Sequence, residues 1–172
     1  MESNDFVKRL AIHEAGHAVM SHHFGAELKS IRIDVTFSRK DVGSTSADIA
    51  RELVERFDFA LKETNDEELE SIYEEISVTI LGGVAAVYIY EDQKGIIDIK
   101  GAQQDFKSIQ NLWGNSRFQL KPTFQEIIES FFKQTEEILR HKWTAVEALA
   151  EVLIKENFID GEKAKRIIEK NL

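Results

Sequence analysis

The amino-acid sequence predicts a mainly α (α+β) fold in which a small sheet lies beside the first helix. Apolar residues recur at helical spacing over most of the chain, and one segment alternates apolar and polar residues as a half-buried strand does. The only proline, Pro122, lies where a first helical turn tolerates it. A chain of 172 residues, 42% of them hydrophobic, can bury a core as a single domain over residues 1–172.

The N-terminal third is predicted to contain two helices and a strand. The first helix covers residues 6–24 and ends near Gly25. Residues 31–37 alternate apolar and polar side chains, which predicts a half-buried strand. Residues 38–46 are predicted to form a loop or a turn between strands, and residues 46–62 are predicted to form the second helix.

The remaining two thirds of the chain are predicted to be helical. Asn65 or Asp66 is a suitable N-cap for a long apolar helix that continues through Tyr90. Residues 91–101 form the longest predicted loop, and a further helix begins near Ala102. After a break at residues 114–121, the last three helices are predicted at residues 123–140, at residues 144–156, and from an N-cap at Asp160 to Leu172.

Composition narrows the possible functions. The chain has no cysteine, which excludes disulfides, thiolate metal sites and cysteine nucleophiles and predicts a cytoplasmic location. Its net charge of −9, from 31 acidic and 22 basic residues, disfavours nucleic acid and membrane surfaces as partners. The first residues lack the pattern of a secretory signal, and the longest apolar stretch is shorter than the roughly 18 to 20 residues of a spanning helix. We therefore expect no membrane insertion.

The first predicted helix contains the sequence His13-Glu14-Ala15-Gly16-His17, an H-E-x-x-H motif. Four residues are slightly more than one helical turn, so the two imidazoles project from one face and can hold one metal ion. Zn²⁺ is the expected ion, because neutral imidazole nitrogens suit it and a catalytic site keeps one position open for water. The carboxylate of Glu14 is then the expected general base for that water.

Two histidines at this spacing can also occur by chance as ordinary surface or core residues. Gly16 favours the metal-site interpretation. A glycine inside a helix costs about 1 kcal/mol relative to alanine, so its presence indicates that another element packs closely against the helix. The apolar helix that contains Gly82 and Gly83 is the expected partner.

A catalytic zinc site needs a third protein ligand, which spacing alone does not identify. His22 and His23 are out of phase with the motif on the helix, and His141 lies among basic residues late in another helix. The metzincin motif H-E-x-x-H-x-x-G-x-x-H is absent, because Met20 stands where it has glycine. Histidine is therefore a poor candidate for the third ligand.

Asp105 is a further candidate for this ligand. It is an acid at a predicted helix start, after a glycine-containing loop that could approach the first helix. An acid at this position also complements the helix dipole without any metal. The residues by themselves leave both roles open.

Three segments carry a resemblance to a known family. They are residues 11–18 (AIHEAGHA), residues 81–86 (LGGVAA) and residues 101–106 (GAQQDF). In this order they resemble the peptidase domain of the FtsH-type ATP-dependent zinc metalloproteases, and residues 149–162 are similar to the family's closing helices. The resemblance covers nearly the whole chain. It implies a helical zinc-peptidase fold, with Zn²⁺ held by His13, His17 and Asp105 and with Glu14 as the catalytic residue.

The sequence departs from the family pattern at several positions. The second motif usually reads Gly-Gly-Arg-Ala-Ala-Glu, whereas Val84 and Val87 replace the arginine and the glutamate, and Gln104 replaces an asparagine. Loss of polar partners near a metal commonly changes affinity or activity by about 10- to 100-fold. The family's phosphate-binding Gly-x-x-x-x-Gly-Lys-Ser/Thr loop has no counterpart here. Such a peptidase would accept flexible peptides or depend on a separate unfoldase.

We therefore expect a zinc metalloendopeptidase that hydrolyses peptide bonds in flexible or unfolded polypeptides. An extended substrate would add as a strand to the sheet edge at residues 31–37. The alternative is a catalytically weak or inactive peptidase-like module that serves binding or assembly and retains the fold. A purely structural zinc is disfavoured, because structural sites are usually closed by four protein ligands. The sequence indicates neither the substrate-binding residues nor the oligomeric state.

Overall fold

The computed structural model describes residues 2–33, 43–48, 51–63, 65–92, 103–114 and 124–172. Helices make up most of this part of the chain, with one small sheet and short connections, which confirms the mainly α prediction. In chain order the elements are α1 (Glu2–His23), β1 (Glu27–Ile33), β2 (Gly43–Asp48), α2 (Arg51–Lys62), α3 (Asp66–Ile80), α4 (Gly82–Tyr90), α5 (Gln103–Gly114), α6 (Phe124–His141), α7 (Trp143–Glu156), β3 (Phe158–Asp160) and α8 (Gly161–Lys170).

Helix α1 lies at the centre of the molecule. It packs against helices α4 and α7 and against the sheet. Its small buried residues allow these elements to approach closely, and Ala11, Ala15 and Ala18 have no exposed surface. The predicted position of the sheet beside the first helix is therefore confirmed.

The three-stranded sheet has the order β2-β1-β3, and both pairings are antiparallel. Ile31, in the central strand, pairs with Thr45 on one side and with Ile159 on the other. Strand β1 begins at Glu27, four residues before the predicted start, and a bulge near Leu28 interrupts its alternation. The predicted continuation over residues 34–37 lies outside the described residues.

Glycines allow helices α1 and α4 to approach each other closely, as the sequence predicted. A Cβ atom added to Gly16 would lie 2.3 Å from the carbonyl oxygen of Gly82 and 2.5 Å from the Cβ atom of Ala86. No side chain fits between these backbones. The unfavourable helix propensity of Gly16 is thus offset by the close contact that it permits.

The prediction of one long apolar helix through Tyr90 is wrong. The segment forms α3 and α4, which meet at Leu81 with a bend of 43°. Gly82 and Gly83 follow the bend directly, and glycines are among the few causes of a sharp kink. The kink allows α4 to lie along α1 while α3 packs against α2 and α6.

The predicted loop at residues 38–46 and helix at residues 46–62 are both corrected in part. Gly43–Asp48 forms strand β2, so the helix begins only at Arg51. The residues of strand β2 are small and mostly polar. They lack the alternation of apolar and polar residues by which a strand is predicted from sequence. Strand β2 forms because the backbone of β1 offers an edge for pairing.

Several predicted helix boundaries are confirmed. The side chain of Asn65 accepts a hydrogen bond from the backbone N–H of Glu68, and that of Asp160 accepts one from Lys163, so both residues act as N-caps. Helices α5, α6 and α7 lie within two residues of their predicted limits, and α8 ends at Lys170. The predicted loops around residues 93–102 and 115–121 lie outside the described residues.

Among the described residues, no single helix is long and apolar enough to cross a membrane. The bent pair of α3 and α4 passes the same test of length and composition when the two helices are taken together.

Candidate metal centre

His13 and His17 project from one face of α1, as their spacing predicts. Their rings meet edge to face with centroids 4.6 Å apart, and the two Nε2 atoms are 3.1 Å apart. Both side chains are largely buried. The helix thus directs one nitrogen of each imidazole to a common point.

Asp105, in the first turn of α5, reaches the same point. Its Oδ2 atom lies 3.5 Å from the Nε2 atom of His13 and 3.5 Å from that of His17. This oxygen is buried and has no hydrogen-bond partner among the described residues. A buried carboxylate oxygen without a partner is costly, and a cation beside it would offset that cost.

The three ligand atoms of His13, His17 and Asp105 could hold a metal ion. Their mutual separations are 3.1, 3.5 and 3.5 Å. In a tetrahedral site with bonds of about 2.0 to 2.2 Å, two ligand atoms are separated by about 3.3 to 3.6 Å. The arrangement therefore needs little change to bind an ion of this kind.

Gly83 of α4 forms one wall of this group of residues. A Cβ atom added there would lie 2.5 Å from the Nε2 atom of His17 and 2.6 Å from the Cε1 atom of His13. The backbone of Gly83 acts to raise the pKa of His13, and the backbone of Thr79 acts to raise the pKa of His17. The close contact with Gly83 leaves the two rings little room to turn.

The two imidazoles differ in their affinity for protons. Burial, together with the neighbouring His17, lowers the pKa of His13 to about 4. Burial also acts to lower the pKa of His17, but the nearby carboxylates of Asp105 and Glu14 outweigh it, so that this pKa is raised above 6.5. At neutral pH His13 is therefore ready to bind a metal, whereas the raised pKa of His17 favours its protonated form, which must lose its proton before the ring can bind.

Glu14 is buried beside this group, with an exposed fraction of only 4%. The hydroxyl of Thr45 in β2 lies 2.9 Å from its Oε2 atom and 3.0 Å from its backbone carbonyl oxygen. Burial raises the pKa of Glu14, although His17 and the hydrogen bond from Thr45 act to lower it. A carboxylate with a raised pKa, close to a metal site, is suited to accept and return a proton near neutral pH.

The other histidines lie apart from the group. His22 faces Glu169 at 3.9 Å, and His23 packs against Phe24. His23 has the spacing of the third metzincin histidine, but α1 continues without a turn through it and carries it away from the site. Within the described residues, only His13, His17 and Asp105 form a group of this kind.

The structure corrects the predicted position of the substrate strand. Over Ser30 to Arg32, β1 is paired on both sides, so a substrate cannot add to it there. In α4, Val84 is buried and Val87 is half-buried. Both are apolar, so neither provides a polar group near the metal-binding residues. Sequence reasoning missed Thr45, because its segment was predicted to be a loop and no motif marks it.

Comparison with models of protein families finds no match for this chain. A search of curated proteins likewise finds no significant match.

Proposed function

We propose that this protein is a zinc-dependent metallopeptidase that hydrolyses peptide bonds in flexible or unfolded polypeptides. The observation that carries the proposal is the close approach of Asp105 to both imidazoles of the H-E-x-x-H motif, at 3.5 Å. Asp105 is distant in sequence from the motif, and the sequence by itself indicates it as a candidate ligand. This proximity also supports kinship with the FtsH-type peptidase domains, which we propose on the resemblance of the three motifs.

Two imidazoles and one carboxylate are a donor set that suits zinc. Three protein ligands leave a coordination position open, as in catalytic rather than structural sites. A zinc ion bound there would supply Lewis acidity, which polarises a peptide carbonyl and makes water more acidic. His13 and His17 would hold the ion through Nε2, and Asp105 through Oδ2.

Glu14 is the residue that we assign to proton transfer. Its carboxylate would accept a proton from the attacking water and later deliver it to the amine of the departing peptide. Its burial supports this role, because a largely water-free environment raises its pKa towards the pH at which such a group works.

An extended substrate would pair with the outer edge of β2. Strand β2 pairs with β1 on one side, and the described residues provide no strand on its other side. Thr45 places this strand against Glu14, so a peptide paired with β2 would run beside the proposed metal site. Backbone pairing of this kind requires an extended chain, which favours flexible substrates over folded ones.

A second candidate is a binding or assembly module that has the same fold and little or no activity. The observation that favours it is the apolar character of Val84 and Val87 in α4, at positions where the resemblance leads us to expect charged residues. Loss of outer polar partners commonly lowers activity by about 10- to 100-fold, which is less than complete inactivation.

Replacement of Glu14 tests the proposal. We expect the wild type to bind one zinc ion and to cleave denatured casein, and we expect a chelator to stop cleavage. Glu14→Gln should bind zinc as the wild type does and lose at least about 100-fold in rate, because the base is removed while the ligands remain. Metal content by mass spectrometry and a fluorescent casein assay provide the two measurements. A wild type that binds zinc but cleaves no unfolded protein or peptide would support the binding module.

A further inference from the structure

Thr45 makes two contacts with Glu14, which is the proposed proton acceptor. Its Oγ1 atom lies 2.9 Å from the carboxylate Oε2 atom and 3.0 Å from the backbone carbonyl oxygen of the same residue. A hydroxyl has one proton to donate, and an ionised carboxylate is the stronger acceptor. The bond to Oε2 is therefore the one that we expect to dominate.

The position of Thr45 is fixed by the sheet. It pairs with Ile31 of the central strand, and Ile31 pairs on its other side with Ile159. Both isoleucines are buried in the core. Thr45 thus lies in a row of paired residues that crosses all three strands. Its backbone cannot shift without disturbing buried residues.

This contact constrains the orientation of the Glu14 carboxylate. A glutamate side chain has three rotatable bonds, and helix α1 fixes only its starting point. Within the described part of the chain, Thr45 is the one side chain that donates a hydrogen bond to this carboxylate. It engages Oε2, and among the described residues no hydrogen bond is made to Oε1.

We propose that Thr45 is a positioning residue for the reaction, which holds one oxygen of Glu14 so that the other can exchange the proton. This inference rests on the proposed function. Small errors in the placement of a reacting group can cost a large factor in rate, up to about 100-fold for a displacement of about 1 Å. The rigid sheet supplies the placement that the flexible side chain lacks.

The test compares two substitutions that separate the hydroxyl from the shape of the side chain. Thr45→Val removes the hydroxyl and retains the branched shape, whereas Thr45→Ser retains the hydroxyl. We expect Thr45→Val to lower kcat on a peptide substrate by about 10- to 100-fold. KM and zinc affinity should stay within about twofold, because neither substrate contacts nor ligands are removed. Thr45→Ser should recover most of the lost kcat.

Thr135→Val is the matched control. Thr135 is buried, whereas Thr45 is half-buried. Like Thr45 it donates to backbone carbonyl oxygen, here that of Val78 and of Phe131, but it does not contact Glu14. The kcat of the Thr135→Val variant should remain at the wild-type value. A parallel loss in both valine variants would show that a general loosening of the fold is responsible, and would overturn the inference.

A measurement without catalysis accompanies the kinetics. The ¹³C signal of the Glu14 carboxyl group, assigned through its absence in Glu14→Gln, should shift in Thr45→Val and return in Thr45→Ser, with and without zinc. Unchanged kcat, an unchanged carboxyl signal, or a loss of zinc affinity that parallels the loss of rate would each overturn the positioning role. A wild type that binds zinc and cleaves nothing would overturn the proposed function as well, whereas a Thr45→Val variant with the kcat of an active wild type would overturn this inference alone.

Discussion

At the residue scale, Asp105 completes the candidate metal centre. It belongs to α5, and its buried Oδ2 atom lies 3.5 Å from the Nε2 atom of each imidazole, with no hydrogen-bond partner in the part of the chain that the structure describes. We predict that Asp105→Ala lowers zinc affinity by about 100-fold or more, which exceeds the usual effect of removing an outer partner. Competition with a chromophoric chelator measures the affinity. His22→Ala is the control, because His22 lies on α1 but faces Glu169, and unchanged affinity in Asp105→Ala would exclude Asp105 as a ligand.

The unequal histidines predict how zinc binding depends on pH. With its pKa lowered to about 4, His13 carries no proton between pH 5 and pH 7, whereas the pKa of His17 is raised above 6.5. Zinc requires both rings to be neutral, so below the pKa of His17 binding should release about one proton from the histidines rather than two. Affinity should therefore rise about tenfold per pH unit in that range.

Calorimetry in buffers of different ionisation enthalpy counts the released protons. Glu14→Gln is the control for protons from the neighbouring carboxyl group, whose pKa is also raised. Release of two protons from the histidines at pH 6 would contradict the lowered pKa of His13.

At the element scale, the contact between α1 and α4 serves two purposes that substitutions can separate. A Cβ atom on Gly16 would meet the backbone of Gly82, whereas one on Gly83 would meet the rings of His13 and His17. We predict that Gly16→Ala lowers the free energy of unfolding by about 1 to 3 kcal/mol, because the two backbones must separate. Gly83→Ala should chiefly weaken zinc binding, because the rings are displaced.

Urea unfolding of the metal-free protein and zinc titration give the two quantities. Gly114→Ala is the matched control, because a Cβ atom there meets nothing within 4 Å. Equal zinc affinity in Gly83→Ala and the wild type would mean that the rings tolerate the added methyl group. The close packing of α4 would then not shape the metal site.

At the scale of the whole molecule, a bound metal would connect elements that are distant in sequence. His13 and His17 belong to the central helix α1, and Asp105 belongs to α5, which packs against α3 among the described elements. With free zinc at about 1,000 times its Kd, binding should add about 4 kcal/mol to the free energy of unfolding. For a chain of this length that corresponds to a rise in Tm of roughly 10 °C.

Differential scanning calorimetry with zinc or with a chelator measures this rise. In Asp105→Ala the rise should shrink greatly at the same zinc concentration. An equal Tm for the wild type under both conditions would show that no zinc binds to the native state.

Features that depend on neighbours along the chain follow from the sequence. Four residues separate His13 from His17, so one helical face carries both whatever surrounds the helix. The N-caps Asn65 and Asp160 bond to backbone groups three residues ahead, and the cost of Gly16 predicted a close helix contact before its partner was visible. Each of these predictions rests on geometry within one or two turns of a helix.

Features that depend on contacts between distant segments of the chain can be identified only from the tertiary structure. Strand β2 exists because β1 offers it an edge, and its sequence has no strand pattern of its own. For the same reason the hydroxyl of Thr45 reaches Glu14, which lies 31 residues earlier in the chain. The sequence alone determined which side chains could bind a metal and move a proton, since residue type and helical period decide that. The tertiary structure decided that Asp105 and Thr45 meet them, because contacts between separate elements depend on how the whole core packs.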